Sequence, residues 1–270
     1  MKATRPIRPN LGVKMRYQRA LIAMIREMAE SVDALILAQR KAAPPVQAAD
    51  ETPAAEMEAA LRKLVELWNQ RFDTIAKKAA ALFVLHQAKG VDASFRQALR
   101  EAGWSIQFKL TPAMQDALDA MIAENVGLIR SIPAQYLQEI EGIVMRNYAA
   151  GRNLHQMALE IRARYPVAKR RAMLIARDQS NKCTSIVQRV RMKEIGITEA
   201  IWMHSHGGKV PRPTHVAMNG KRYKIGKGMW DSAEKKWIYP GELINCRCTS
   251  RAVLPWTPAE EPQYVGLKTA

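Results

Sequence analysis

Cysteine is scarce in this chain. Three residues, Cys183, Cys246 and Cys248, occur among 270. That number builds no disulfide framework, and it fits a protein made in a reducing cytoplasm. Aromatic residues are few, at 6%, which argues against an all-β core. No uninterrupted apolar run reaches the ~18 residues of a membrane-spanning helix, so no membrane partner is expected. The start, Met1-Lys2-Ala3-Thr4-Arg5-Pro6, lacks the apolar stretch of a secretion signal. Acidic residues are also short: 25 Asp and Glu face 42 Lys and Arg.

What remains is a helix-forming, basic composition. The net charge is +17, and it is concentrated: residues 162–251 hold 20 Lys and Arg against 6 Asp and Glu, a balance of +14. A field of that sign favours polyanions, nucleic acid first. Lys169, Arg170, Arg171, Lys221, Arg222 and Lys224 are the candidate DNA contacts, acting on phosphate without reading sequence.

The periodicity predicts an α+β chain, predominantly helical, with long N-terminal helices followed by a small β-rich C-terminal module. Residues 1–12, basic and containing Pro6, Pro9 and Gly12, read as a flexible arm. Apolar residues at spacings of three and four predict a helix over 13–41. Ala42–Thr52 reads as a linker. Thr52-Pro53 is a start signal for a helix to about Gly90, and a shorter helix runs from there to about Gly103. Trp104, Ile106, Phe108 and Leu110 alternate with polar residues, the pattern of a strand. Thr111-Pro112 opens another helix, which Ile132-Pro133 is expected to interrupt; its continuation stops at Gly151. Asn153 caps a short helix, and a basic helix covers about Val167–Glu194, stopped by Gly196. Beyond it, Ile201–Met203, Lys221–Ile225, Trp237–Tyr239 and Cys246–Val253 read as short strands, and 255–270 as a loose tail.

Three constellations carry chemistry. Arg177-Asp178-Gln179 lies in the basic helix, where consecutive side chains point in different directions. Arg177 and Asp178 are placed to bind loop backbone where helix and module meet, with a solvated helix face as the bland alternative. His204, His206 and His215 surround Gly207-Gly208 and offer bases or ligands, the basis for an alternative reading as a small nuclease, metal-independent or metal-assisted. Nearby carboxylates are sparse, and a paired carboxylate site is missing. Cys246-Arg247-Cys248 places two sulfurs on one side of an extended chain. With His215 they supply part of a structural zinc shell; as packing residues they need no cofactor. A general nucleic-acid-binding module is the second alternative, although no helix-turn-helix signature, RNP motif or complete zinc finger is present.

The order of several of these elements resembles the phage head-morphogenesis family, also called Mu F-like, over roughly residues 130–254. The resemblance runs through Ser131-Ile132-Pro133-Ala134-Gln135-Tyr136, Gly151, Ala172, and Ile175-Ala176-Arg177-Asp178-Gln179. It continues through Ile201-Trp202 and Val210-Pro211-Arg212-Pro213-Thr214-His215. It ends with Asn219-Gly220-Lys221, Pro240-Gly241 and Asn245-Cys246-Arg247-Cys248. Some relatives carry a Cys-x-x-Cys pair where this chain has Arg212 and His215, and a His where it has Leu243. The resemblance implies a helical N-terminal region over 13–129 and a head-morphogenesis domain over 130–254. It implies a minor structural protein of a tailed-phage head, with no catalytic residues, assisting assembly, packaging or ejection. The implied partners are portal protein, major capsid or scaffold protein, and packaged DNA. The implied location is the virion, with the host cytoplasm as the place of assembly.

Overall fold

The computed structural model describes residues 2–41, 53–151, 153–208 and 210–255. The expected linker over 42–52 and the tail beyond 255 lie outside the described residues. Five long or medium helices lead into a small sheet module: α1 (Leu11–Lys41), α2 (Pro53–Glu101), α3 (Pro112–Ala149), α4 (Leu154–Arg162) and α5 (Tyr165–Glu194). Then follow β1 (Glu199–Met203), α6 (Pro213–Met218), β2 (Arg222–Lys224), β3 (Met229–Asp231), β4 (Lys236–Ile238) and β5 (Thr249–Val253). Among the described residues no helix is long and apolar enough to cross a membrane.

The chain forms two compact units, each assembled from separate stretches of sequence. One comprises residues 15–83 and 122–176, the other residues 1–14, 84–121 and 177–270. Among the described residues, the regular elements of the first unit are all helices. Its core is built from Leu21, Ile25, Met28 and Val32, then Leu61, Trp68 and Phe72, then Ile129, Ile132, Tyr136 and Ile140. These positions recur every three or four residues, which is why the helices present one apolar stripe each. Asn153 caps α4, its side chain accepting the Gln156 N–H at 3.0 Å. Gly151 has φ +94°, the left-handed conformation that ends a helix without a Cβ penalty.

The second unit carries the sheet. β1 is central, antiparallel to β2 on one side and to β5 on the other. Ala200 sits opposite both Tyr223 and Ala252, and Trp202 opposite Ser250. β3 and β4 form a separate hairpin in which Trp230 faces Trp237.

Four expectations change. The first ten residues are not a loose arm where they are described. Thr4 N–H donates to Ala252 O at 2.9 Å, Leu254 N–H donates to Lys2 O at 2.9 Å, and Ala3 bridges Val253. Ile7 is fully buried. The segment therefore covers the open edge of β5, satisfying backbone groups that an edge strand leaves unpaired.

Gly90 does not end a helix. α2 passes through it, because a Cβ there would lie 3.3 Å from the side chain of Asn10. The glycine serves close approach rather than a stop. Asn10 also accepts the Val13 N–H at 3.1 Å, at the start of α1. Pro133 likewise lies inside a continuous α3, buried against neighbours that outweigh the lost backbone hydrogen bond.

Finally, the alternating segment 104–110 is extended but pairs with no strand among the described residues. Its period is real. Trp104 is buried, and Phe108 stacks on Phe95 with ring centroids 5.8 Å apart. Side chains alone dictate the alternation here, without a ladder.

Candidate functional site

α5 ends in the sheet-bearing unit, and the loop leading from β4 to β5 lies across its face. Asp178 Oδ1 accepts the Asn245 backbone N–H at 3.0 Å, and the Arg177 guanidinium donates to Asn245 Oδ1. Asp178 thus binds loop backbone and Arg177 the side chain of the same residue, because the loop crosses the helix there. Asn245 adopts φ +64°, which an Asn tolerates better than most residues. Lys182 lies 3.3 Å from the other Asp178 oxygen, and Gln179 is buried beside it. Gly241 makes this contact possible. At φ +84°, a Cβ there would meet Asn181 O at 3.2 Å and Cys248 O at 3.3 Å. Pro240 is buried next to it.

On the other side of this loop the two cysteines meet His215. No helix was expected beyond Gly196, yet Pro213 begins the short α6, with Arg212 as its N-cap residue. Arg212 also donates to Ile244 O at 3.1 Å. α6 turns His215 inward until it is 2% exposed. Its Nδ1 lies 3.4 Å from Cys246 Sγ and 3.6 Å from Cys248 Sγ. The three donor atoms all lie within 4.8 Å of one another. The Gly241 N–H points at Cys246 Sγ from 3.3 Å. Trp202, fully buried on β1, sets its ring edge-on to the imidazole at 5.2 Å. Gly220, at φ +76°, donates its N–H to Trp202 O at 2.8 Å and so fixes the chain between α6 and β2.

The far side of the imidazole faces Asp231. Oδ2 of this fully buried carboxylate lies 3.3 Å from His215 Nε2. It also accepts the Thr214 hydroxyl at 3.1 Å, while Oδ1 accepts the Ala233 N–H at 2.9 Å and the Glu234 N–H at 3.3 Å. Burial alone would raise the Asp231 pKa. The two backbone N–H groups, the hydroxyl and the nearby imidazole outweigh it and hold the carboxyl below its usual range. The cysteines split in opposite directions. The Cys248 thiol donates toward Cys246 and lowers its pKa, helped by His215 and the Gly241 N–H. Cys248 keeps the shared proton, and its pKa rises for that reason and through burial.

His204 and His206 do not join this cluster. Their rings pack edge-on at 4.6 Å, and His206 N–H donates to His204 Nδ1 at 3.3 Å. Burial lowers the His204 pKa, and the neighbouring His206 and His215 lower it further. Arg247 points away from the sulfurs and donates to Gly207 O. Both nitrogens of His215 are turned inward, one to sulfur and one to a carboxylate, whereas His206 is exposed.

The candidate DNA contacts lie on both units. Lys169 and Arg170 are exposed on α5 within the helical unit, while Arg171 is half-buried and donates to Ser131 Oγ at 2.8 Å. Lys221, Arg222 and Lys224 are exposed on or beside β2. Lys224 also lines an open cleft of about 600 Å³ together with Lys193, Lys227, Thr198 and Glu199.

Two contributors escaped the sequence reading. Asp231 is one of the sparse carboxylates of a lysine-rich stretch, with Glu234 and Glu242 nearby. Arg191, 4% exposed, binds both oxygens of Asp92 at 2.9 and 2.7 Å, Glu194 at 2.8 Å and Lys109 O at 2.7 Å. It looked like one more cation of a basic helix, because its partners lie far away in sequence.

Residues 138–251 match the family described as Phage Mu protein F like protein. An uncharacterized protein of Haemophilus influenzae is 31% identical over 150 residues, covering 56% of this chain and 32% of that protein. The chain thus spans about a third of the length of this relative. No solved structure matches the chain.

Proposed function

We propose that the chain is a minor structural component of a tailed-phage head, on the strength of the match of residues 138–251 to the Phage Mu protein F like family. In this reading it docks on portal, capsid or scaffold protein and touches packaged DNA, assisting assembly, packaging or ejection. The family match carries the proposal. The site chemistry supports a structural role over an enzymatic one, because the inward-facing His215 and the Arg177–Asp178–Asn245 contact lock elements together.

The DNA contact is supported by the basic balance of residues 162–251 and by the lysines around the cleft of Lys193, Lys224 and Lys227. Phosphate contacts need charge and exposure, not a shaped pocket. The direct test is mass spectrometry of purified heads and of heads lacking genome. The chain is expected in both, at low copy number relative to major capsid protein. Its absence from heads would reject the proposal.

A further inference from the structure

We propose that His215 Nδ1, Cys246 Sγ and Cys248 Sγ bind one zinc ion, with Asp231 holding the imidazole from behind. The separations carry this. A tetrahedral zinc, with bonds of about 2.3 Å to sulfur and about 2.0–2.1 Å to nitrogen, sets neighbouring sulfur and nitrogen ligands ~3.6 Å apart. The two observed separations are 3.4 and 3.6 Å. Thiol-to-imidazole hydrogen bonds have similar lengths, but they do not require all three donor atoms to lie within 4.8 Å of one another. A ligand edge shared by both sulfurs does.

The surroundings fit the same ion. Asp231 Oδ2 stands 3.3 Å from Nε2 without a hydrogen bond in this geometry; a proton on Nε2 would turn this contact into the carboxylate–histidine–zinc arrangement and leave the Nδ1 lone pair for the metal. The carboxylate's orientation is fixed by Thr214, Ala233 and Glu234. Zinc binding would release the proton that the two sulfurs share, and the dication would offset the charge of both thiolates. Sulfur and imidazole donors select zinc over magnesium or calcium. Among the described residues no fourth His, Cys, Asp or Glu donor joins the three. The ion ties α6 to the segment before β5, a cross-link in a module that has no disulfide.

Cys246, His215 and Asp231 also line up as a nucleophile, base and orienting acid would. All three are buried, and the second sulfur has no task in such a triad. The zinc reading uses every group.

The test uses the full chain, purified without chelator from zinc-containing medium. Elemental analysis is expected to find about one zinc per chain. Cobalt added to the chelator-stripped protein is expected to give thiolate-to-cobalt charge-transfer absorption and the intense visible bands of a tetrahedral ion. Cys246→Ser and Cys248→Ser are expected to lose that spectrum, Cys183→Ser to keep it, and Asp231→Asn to bind with ~10–100-fold lower affinity. The cobalt spectrum of the unaltered chain requires no variant to fold. Absence of both zinc and the charge-transfer band overturns the proposal, as does full zinc retention in the Cys246→Ser/Cys248→Ser double variant. Rapid alkylation of Cys246 that zinc does not slow would assign the cluster to nucleophilic chemistry instead.

Discussion

Arg191 shows how much one side chain can hold. Its guanidinium is buried, charge-paired with Asp92 on α2 and Glu194 on its own helix, and stacked over Phe108 at 4.9 Å. Burial by itself would lower its pKa, but the two carboxylates reverse that and raise it. Arg191→Met keeps the volume and removes the cation, leaving two largely buried carboxylates facing each other. The expected cost is about 3 kcal/mol in urea unfolding; a loss under ~1 kcal/mol would mean that solvent already screens the pair. Arg191→Lys is expected to recover only part, since an ammonium cannot make the two parallel bonds to Asp92. The three cysteines differ at the same scale. Burial pushes the Cys183 thiol up to about 12, so at pH 8 only about one molecule in 10,000 carries its thiolate, the reactive form. Native protein treated with a maleimide at that pH is expected to remain unlabelled at Cys183, with labelling appearing only in denaturant. Prompt native labelling there, read by peptide mass spectrometry, would contradict the packing described.

Among elements, two glycines with the same backbone demand make a controlled comparison. Gly220 and Gly241 both have positive φ, at +76° and +84°. A Cβ at Gly220 meets nothing within 4 Å, whereas at Gly241 it meets two backbone oxygens. Gly220→Ala is expected to cost ~1 kcal/mol, the left-handed penalty alone. Gly241→Ala is expected to cost about 1 kcal/mol or more beyond that and to weaken the loop that carries Asn245 onto α5. Equal melting temperatures for the two variants would show that the loop yields. Glycines and prolines were the most legible and the most misleading signals in the sequence. Gly151, Asn153 and Gly196 end or begin helices as their chemistry requires. Gly90 and Pro133 carry the same local signal but sit inside helices, because contacts from Asn10 and from the helical core decide their role. The alternation of Trp104, Ile106, Phe108 and Leu110 holds in part: Trp104 is buried, Ile106 and Phe108 are half-buried, Leu110 is exposed, and no strand pairs with the segment among the described residues. Side-chain period reports which face is covered; it cannot report whether another strand is beside it. α6 was hidden for a related reason, since Pro211 and Pro213 resemble loop residues until Pro213 is seen at a helix start.

For the molecule as a whole, the candidate site was legible in its residues and illegible in its geometry. Arg177, Asp178, His215, Cys246 and Cys248 stood out by type and order. That one loop joins Arg177 and Asp178 on one side and His215 on the other depends on contacts between residues 31 to 68 positions apart. Charge works differently, because it acts through a field and survives loss of detail. The surplus over 162–251 therefore permits a prediction that needs no pose. Sequence-independent DNA affinity should fall linearly with salt on a double-logarithmic plot, with a slope of about −0.9 for each phosphate neutralised on duplex DNA. Lys224→Glu with Lys227→Glu, on the cleft of the sheet-bearing unit, should weaken binding equally for unrelated duplexes and make the slope shallower by about two, counting about one per lost phosphate contact. Lys169→Glu with Arg170→Glu probes the exposed cations of the helical unit by the same measure. If both pairs flatten the slope, DNA contacts extend to both units; if only the first does, the cleft beside β2 is the contact. An unchanged slope in both, with circular dichroism showing intact fold, would mean that these cations do not contact DNA phosphate.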